Sequence, residues 1–191
     1  MRVWTKLAAI AAVATVAAVP VRAETFINVL TGGTSGVYYP LGVALSQVFT
    51  EGVPESRPSV QATKASVENL NLLQAGKGEI AFTLGDSLAL AVAGDAEAGF
   101  PTPLDKLRTI AAIYPNYIQV VASQESGVKT LADLKGKGLS VGAPKSGTEL
   151  NARAILTAAG LSYEDLGKVE TRLKRLVERT DGTFEVTDAR E

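Results

Sequence analysis

Four times along this chain a short apolar run passes through a cluster of small polar residues straight into an amphipathic stretch, at Gly32 to Gly36, Thr63 to Ser66, Gly85 to Ser87 and Ala143 to Thr148. That repeat constrains the fold more than any other feature. Phe26 to Leu30, "PSVQATKA" and "EIAFTLG" carry the apolar content of strands. Between them, Val37 to Thr50 sets Val37, Leu41, Ala44, Leu45 and Val48 on one helical face, and "SVENLNLLQAG" sets Val67, Leu70, Leu73 and Gln74 at helical spacing before Gly76 stops it. Asp86 is placed to cap a third helix, "SLALAVAG". The order βαβαβ requires a parallel sheet with helices on its faces.

"GFPTPLD" follows as a surface loop, and then two strand-like runs, "RTIAAIY" and "YIQVVAS", separated by Pro115 and Asn116. With no helix between them, this pair marks a crossing from a first lobe, residues 24–115, to a second, residues 116–170. The second lobe opens with a short helix in "TLADL", a tight turn at Gly136 to Gly138 and a strand "LSVGA". A helix from Ser146 to Ala159 completes it, with Ser146 and Glu149 in capping-box spacing ahead of Leu150, Ala154, Ile155 and Ala158.

The first 23 residues stand apart. Arg2 and Lys6 precede an apolar run, Leu7 to Val19, and Val21 and Ala23 hold the small positions before a cut that leaves Glu24 as the new N-terminus. This is the pattern of a secretory signal peptide, and it implies a periplasmic product. A membrane anchor is the alternative, but the run falls short of the roughly 20 residues a bilayer requires, and no other segment is long and apolar enough to insert the mature chain. With no cysteine the chain has neither a disulfide framework nor a lipid-accepting thiol, so its core alone must hold it.

The absence of histidine removes the commonest general base and metal ligand, which argues against zinc or copper, and no carboxylate-rich loop suits calcium. No cofactor is called for. A net charge of −1, with lysines and arginines scattered, offers no stripe for nucleic acid. "GAPKSGT" has two glycines of a phosphate loop, Gly142 and Gly147, but Thr148 stands where its lysine belongs. "SGVK" matches a serine–lysine spacing without partner motifs, there is no G-x-S-x-G elbow, and no spacing singles out a pair among Glu51, Glu55, Glu79 and Asp86. These exclusions favour binding over catalysis.

In a parallel sheet the strand-to-helix junctions gather at the carboxyl ends of the strands, where ligands bind. Each helix start presents unpaired N–H groups and a partial positive charge, worth about 0.3–1 kcal/mol to an anion. Ordinary turns and caps use the same residues, so the junctions alone do not name a ligand.

"TGGTSGVYYPLG", "SVENLNLLQAG", "AFTLGDS", "AAIYPNYIQVV" and "VGAPKSGTELNARAIL", in this order, resemble the solute-binding receptors of tripartite ATP-independent periplasmic (TRAP) transporters, the TAXI subfamily. The likeness spans Thr25 to Val169. It implies a two-lobed α/β fold of the type II periplasmic-binding-protein class, closing on a small carboxylate such as glutamate or glutamine and delivering it to an integral-membrane TRAP permease. By the same resemblance Gly33, Thr34, Ser35 and Gly36 line the first lobe's side of the cleft, and Tyr39 packs on the ligand. Ser66 and Val67 supply donors, Asp86 takes a ligand amine, Tyr114 stands at the crossing, and Ser146, Gly147 and Thr148 form the second lobe's helix start.

Two departures place lysines, Lys64 and Lys145, where the family keeps small residues. Either one meets a second carboxylate, shifting preference toward a dicarboxylate, or both ammonium groups sit in solvent. A third departure is the end of the chain: the likeness fades after "GKVE", and residues 171–191 form a charged tail resembling a shifted reading frame or an unrelated segment. The second lobe is then incomplete, with edge strands and apolar surface left open. Three other readings remain: an ABC-type binding protein of like architecture, an enzyme on a similar scaffold, and a truncated product without function.

Overall fold

The computed structural model describes residues 24–171 and, beyond them, the backbone of two strands within 172–191. The expected signal peptide lies outside the described residues. The first unit comprises β1 (Thr25–Leu30), α1 (Tyr38–Gly52), β2 (Ser56–Gln61), α2 (Ser66–Gln74), β3 (Ile80–Ala81) and α3 (Gly85–Ala93). Its three strands are parallel in the order β2–β1–β3, so the chain leaves β1 to one side and returns past it to the other. That reversal is the switch point at which open α/β sheets bind ligands.

α1 lies on the sheet through Tyr38, Leu41, Leu45 and Phe49, packed against Ile27, Val29 and Phe82. Gly42 brings it close, since a Cβ there would collide with Thr31 Cγ2. The sequence-derived face is therefore rotated: Leu41 and Leu45 belong to it, whereas Val37 and Val48 are both 61 % exposed, and Ala44 is exposed too. A second cluster joins Val67 and Leu70 of α2 to Ala91 of α3 and to Ala98, Phe100 and Leu104. "GFPTPLD" is thus no mere surface loop, because Phe100 and Leu104 turn into the core. β3 is shorter than expected, although Phe82 N–H still donates to the Leu30 carbonyl at 3.0 Å.

Residues 108–125 are exposed throughout and enter no sheet. The two strands expected here do not form, because strand propensity makes a strand only where a neighbour accepts the ladder, and among the described residues none lies alongside.

The second unit is one βαβ element, β4 (Gly138–Ser140), α4 (Gly147–Ala158) and β5 (Lys168–Glu170), with β4 and β5 parallel. The short helix ahead of it is a 3-10 turn, Leu131–Leu134, closed by a reciprocal box between Thr130 and Asp133. Ser146 caps α4, its Oγ accepting Glu149 N–H at 3.2 Å. The box expected there is only half made: the Glu149 carboxylate turns to Arg153 Nη2, at 2.7 and 2.9 Å, and to the Tyr163 hydroxyl at 2.8 Å. Leu150 enters the α2–α3 core and Leu156 is buried, whereas Ala154 and Ala158 face water. Beyond β5, β6 (Lys174–Glu178) and β7 (Phe184–Asp188) pair antiparallel with each other. The molecule is thus mixed α/β with parallel sheets and βαβ units, as expected of a solute-binding-protein fold.

Candidate functional site

Asn69 organises the carboxyl ends of the first sheet. Fully buried on α2, it donates from Nδ2 to the carbonyls of Thr31 at 2.7 Å and Phe82 at 2.8 Å, joining β1 to β3 where the short ladder has ended. Its Oδ1 lies 2.6 Å from the Thr63 hydroxyl. That hydroxyl also lies 2.9 Å from the Thr31 carbonyl and accepts Ala65 N–H at 2.9 Å. One amide and one hydroxyl therefore fix three chain segments.

Ala65, held this way, has φ 68° and ψ −157° and leads into α2 without a side-chain cap. This region is almost exclusive to glycine, and such strain persists only where its surroundings enforce it. Lys64 N–H reinforces the turn by donating to Glu68 Oε2 at 2.6 Å. Ser66 is buried, and its Oγ accepts Leu84 N–H at 3.1 Å.

The β1–α1, β2–α2 and β4–α4 junctions open on one cavity of about 1020 Å³. Gly32 to Tyr38 form one wall, Thr63 to Ser66 a second, and Ala143, Pro144 and Ser146 to Thr148 a third. Leu84, Tyr114, Asn116 and Thr171 complete it. Tyr38 stacks on Phe82 with centroids 5.4 Å apart. Burial pushes its hydroxyl up to about 12, neighbouring Tyr114 adds to the rise, and a hydrogen bond with Asn116 opposes it.

The third wall meets the second closely. A Cβ on Gly147 would stand 2.5 Å from Leu84 Cδ1 and 2.7 Å from Ser66 Oγ. Just before it Lys145, at φ 65°, presents its carbonyl to Glu68 N–H of α2 at 3.3 Å.

Of the residues assigned from the sequence, Gly33, Thr34, Ser35, Gly36, Lys64, Ser66, Tyr114, Ser146, Gly147 and Thr148 come together around the cavity. Tyr39, Val67, Asp86 and Lys145 are not in its wall. Tyr38 takes the place expected of Tyr39, since one residue turns a helical side chain by about 100°. Val67 is core, 1 % exposed. Asp86 is not the cap of α3 but stands inside its first turn, where Oδ1 accepts Ser87 N–H at 2.6 Å. Lys145 contributes backbone while its side chain is exposed. Sequence reading missed Asn116, Thr63 and Tyr38. Only Thr63 carried a signal, as a hydroxyl residue in a junction already singled out.

Among the described residues the cavity is walled by hydroxyls, tyrosines, glycine backbone, the Asn116 amide, apolar groups such as Val37 and Leu84, and one ammonium group, Lys64, with no carboxylate. Its hydroxyls and backbone groups can donate as well as accept, Lys64 donates only, and the starts of α2 and α4 add positive potential.

A family model described as the NMT1-like family matches residues 29–180, most of the chain. The protein belongs to the NMT1-like family. This is a periplasmic solute-binding family, whose members bind small ligands and generally work with a membrane transporter. The match runs from near the end of β1 through every junction of the cavity and on into the stretch 171–191. An NMT1-like role is one of substrate binding, and no helix among the described residues is long and apolar enough to cross a membrane.

Proposed function

We propose that the protein is a periplasmic receptor that captures a small carboxylate, glutamate- or glutamine-like or a dicarboxylate, and hands it to a TRAP-type permease. The observation that carries this reading is the cavity: three strand-to-helix junctions, rich in hydroxyl and backbone donors, converge on a space with one ammonium and no acidic side chain among the described residues. Such a lining favours an anion, which needs donors on every side. Gly33 to Gly36 would receive one carboxylate from the first unit, and Ser146 to Thr148 would face it from the second. Of the two departing lysines, Lys64 is the candidate for a second carboxylate, because Lys145 lies outside the wall.

Thermal melts with glutamate, glutamine, 2-oxoglutarate and succinate test the reading. One acid is expected to raise the melting temperature, since ligand at about 100 times its Kd adds about 2.7 kcal/mol. A cooperative transition indifferent to all four sinks the carboxylate assignment. Lys64→Gly should weaken the diacids more than glutamine, while Lys145→Gly should leave selectivity unchanged; equal effects would refute the role given to Lys64.

A further inference from the structure

The segment from Thr109 to Ser123 is out of keeping with the rest of the molecule. It carries no charge, yet Ile110 is 80 % exposed, Tyr117 76 %, Ile113 61 % and Val121 60 %. Among the described residues, no backbone hydrogen bond joins residues 109–122 to any element. β-branched and aromatic residues of this density belong to strands buried on both faces. Lone monomers rarely leave so large an apolar surface open.

We propose that this segment pairs with the same segment of a second copy of the chain, the two strands running antiparallel about a two-fold axis at Asn116. Three observations select this occupant. The first is Pro115, which lacks an N–H. In a strand, successive residues present their N–H and C=O groups to opposite edges. Only the edge carrying the even-numbered residues therefore offers an unbroken ladder, and a strand with one competent edge closes as a pair rather than growing into a fibre.

The second is charge. Lys106 and Arg108 lie just before the segment and Glu125 just after it. Antiparallel pairing about Asn116 sets Arg108 opposite Gln124 of the second copy and one position from its Glu125, at both ends. A parallel pair would set like ends together. The third is area. Tyr117, 76 % exposed, offers most of the about 150–250 Å² of an aromatic side chain, and with Ile110, Ile113, Ile118 and Val121 the surface at stake in two copies is on the order of the 1,200 Å² at which stable interfaces begin.

The absence of cysteine makes the register directly measurable. Asn116→Cys places two thiols across the axis, with Cα atoms about 5.5 Å apart, inside disulfide range. Gln119→Cys places them about 20 Å apart, six residues at about 3.4 Å each. Sedimentation equilibrium of the purified protein is expected to give twice the chain mass. Ile118→Asp, at an exposed position, should return it to the monomer with its circular dichroism unchanged. Oxidation should cross-link the Asn116→Cys variant and spare the Gln119→Cys variant. A monomer at about 100 µM, a ladder of larger species, or equal cross-linking at both positions would overturn the proposal. None of these readouts depends on ligand binding.

Discussion

Asn69→Asp keeps the shape of the side chain and removes both N–H donors, at a position with no exposed surface. The carbonyls of Thr31 and Phe82, now 2.7 and 2.8 Å from Nδ2, would face a carboxylate oxygen instead. The buried acid answers by holding a proton, so its folded pKa rises above the unfolded value of about 3.9. That proton serves only one of the two carbonyls. The other loses its donor, at about 1–3 kcal/mol, even when the acid is neutral. Above pH 4 a further penalty accrues, about 1.4 kcal/mol for each unit by which the folded pKa is raised. The sign follows directly: with a raised folded pKa the variant is closest to wild type below about pH 4, and its deficit widens as pH rises toward the folded pKa. Urea unfolding of both proteins at pH 4.5 and pH 7 measures this, with the wild-type pH dependence subtracted. A deficit that is absent, independent of pH or larger at pH 4.5 would refute the role given to the Asn69 amide.

Gly147→Ala forces a methyl group to within 2.5 Å of Leu84 and 2.7 Å of Ser66 Oγ, so it should lower the melting temperature by several degrees. The overpacking cost of about 1–3 kcal/mol exceeds the helix-propensity gain of at most ~1 kcal/mol, and an unchanged or raised melting temperature would show that the two junctions do not interlock. Alkaline titration followed at 295 nm should show two of the five tyrosines ionising late, Tyr38 and Tyr163, each raised to about 12, the first by burial and the second by burial and its bond to Glu149. The unfolded phenols ionise near pH 10, so the stability these two contribute is present below that and is lost as pH rises from about 10 to 12. Phenols that all titrate together near pH 10 would contradict both assignments.

The sheet and its junctions were legible because strands and helices announce themselves by apolar spacing and the junctions by glycine and hydroxyls. What escaped was rotation about each helix axis. Tyr38 and Tyr39 are chemically alike, and the first enters the wall because Gly42 sets how α1 lies on β1. Spacing could not settle that, since the close approach depends on Thr31, the residue just after the strand. Asn69 escaped for a related reason: a polar residue on an apolar helical face is either exposed or fully bonded, and only the loose ends of β1 and β3 decide which. The segment 109–123 shows the opposite limit, for its strand character was evident while its neighbour was not encoded locally.

The two interlocking junctions share one further property that sequence spacing does not display. Ala65 and Lys145 both have positive φ, 68° and 65°, and each immediately precedes a buried serine that opens a helix, Ser66 or Ser146. Neither is glycine, so each turn carries strain of about 1–3 kcal/mol that its contacts must offset. For Ala65 those contacts come from Thr63 and, through it, Asn69. At Lys145 the visible restraint is its own carbonyl, bonded to the first turn of α2. The strain in the second unit is thus held partly by the first, and the cavity lies where they hold each other.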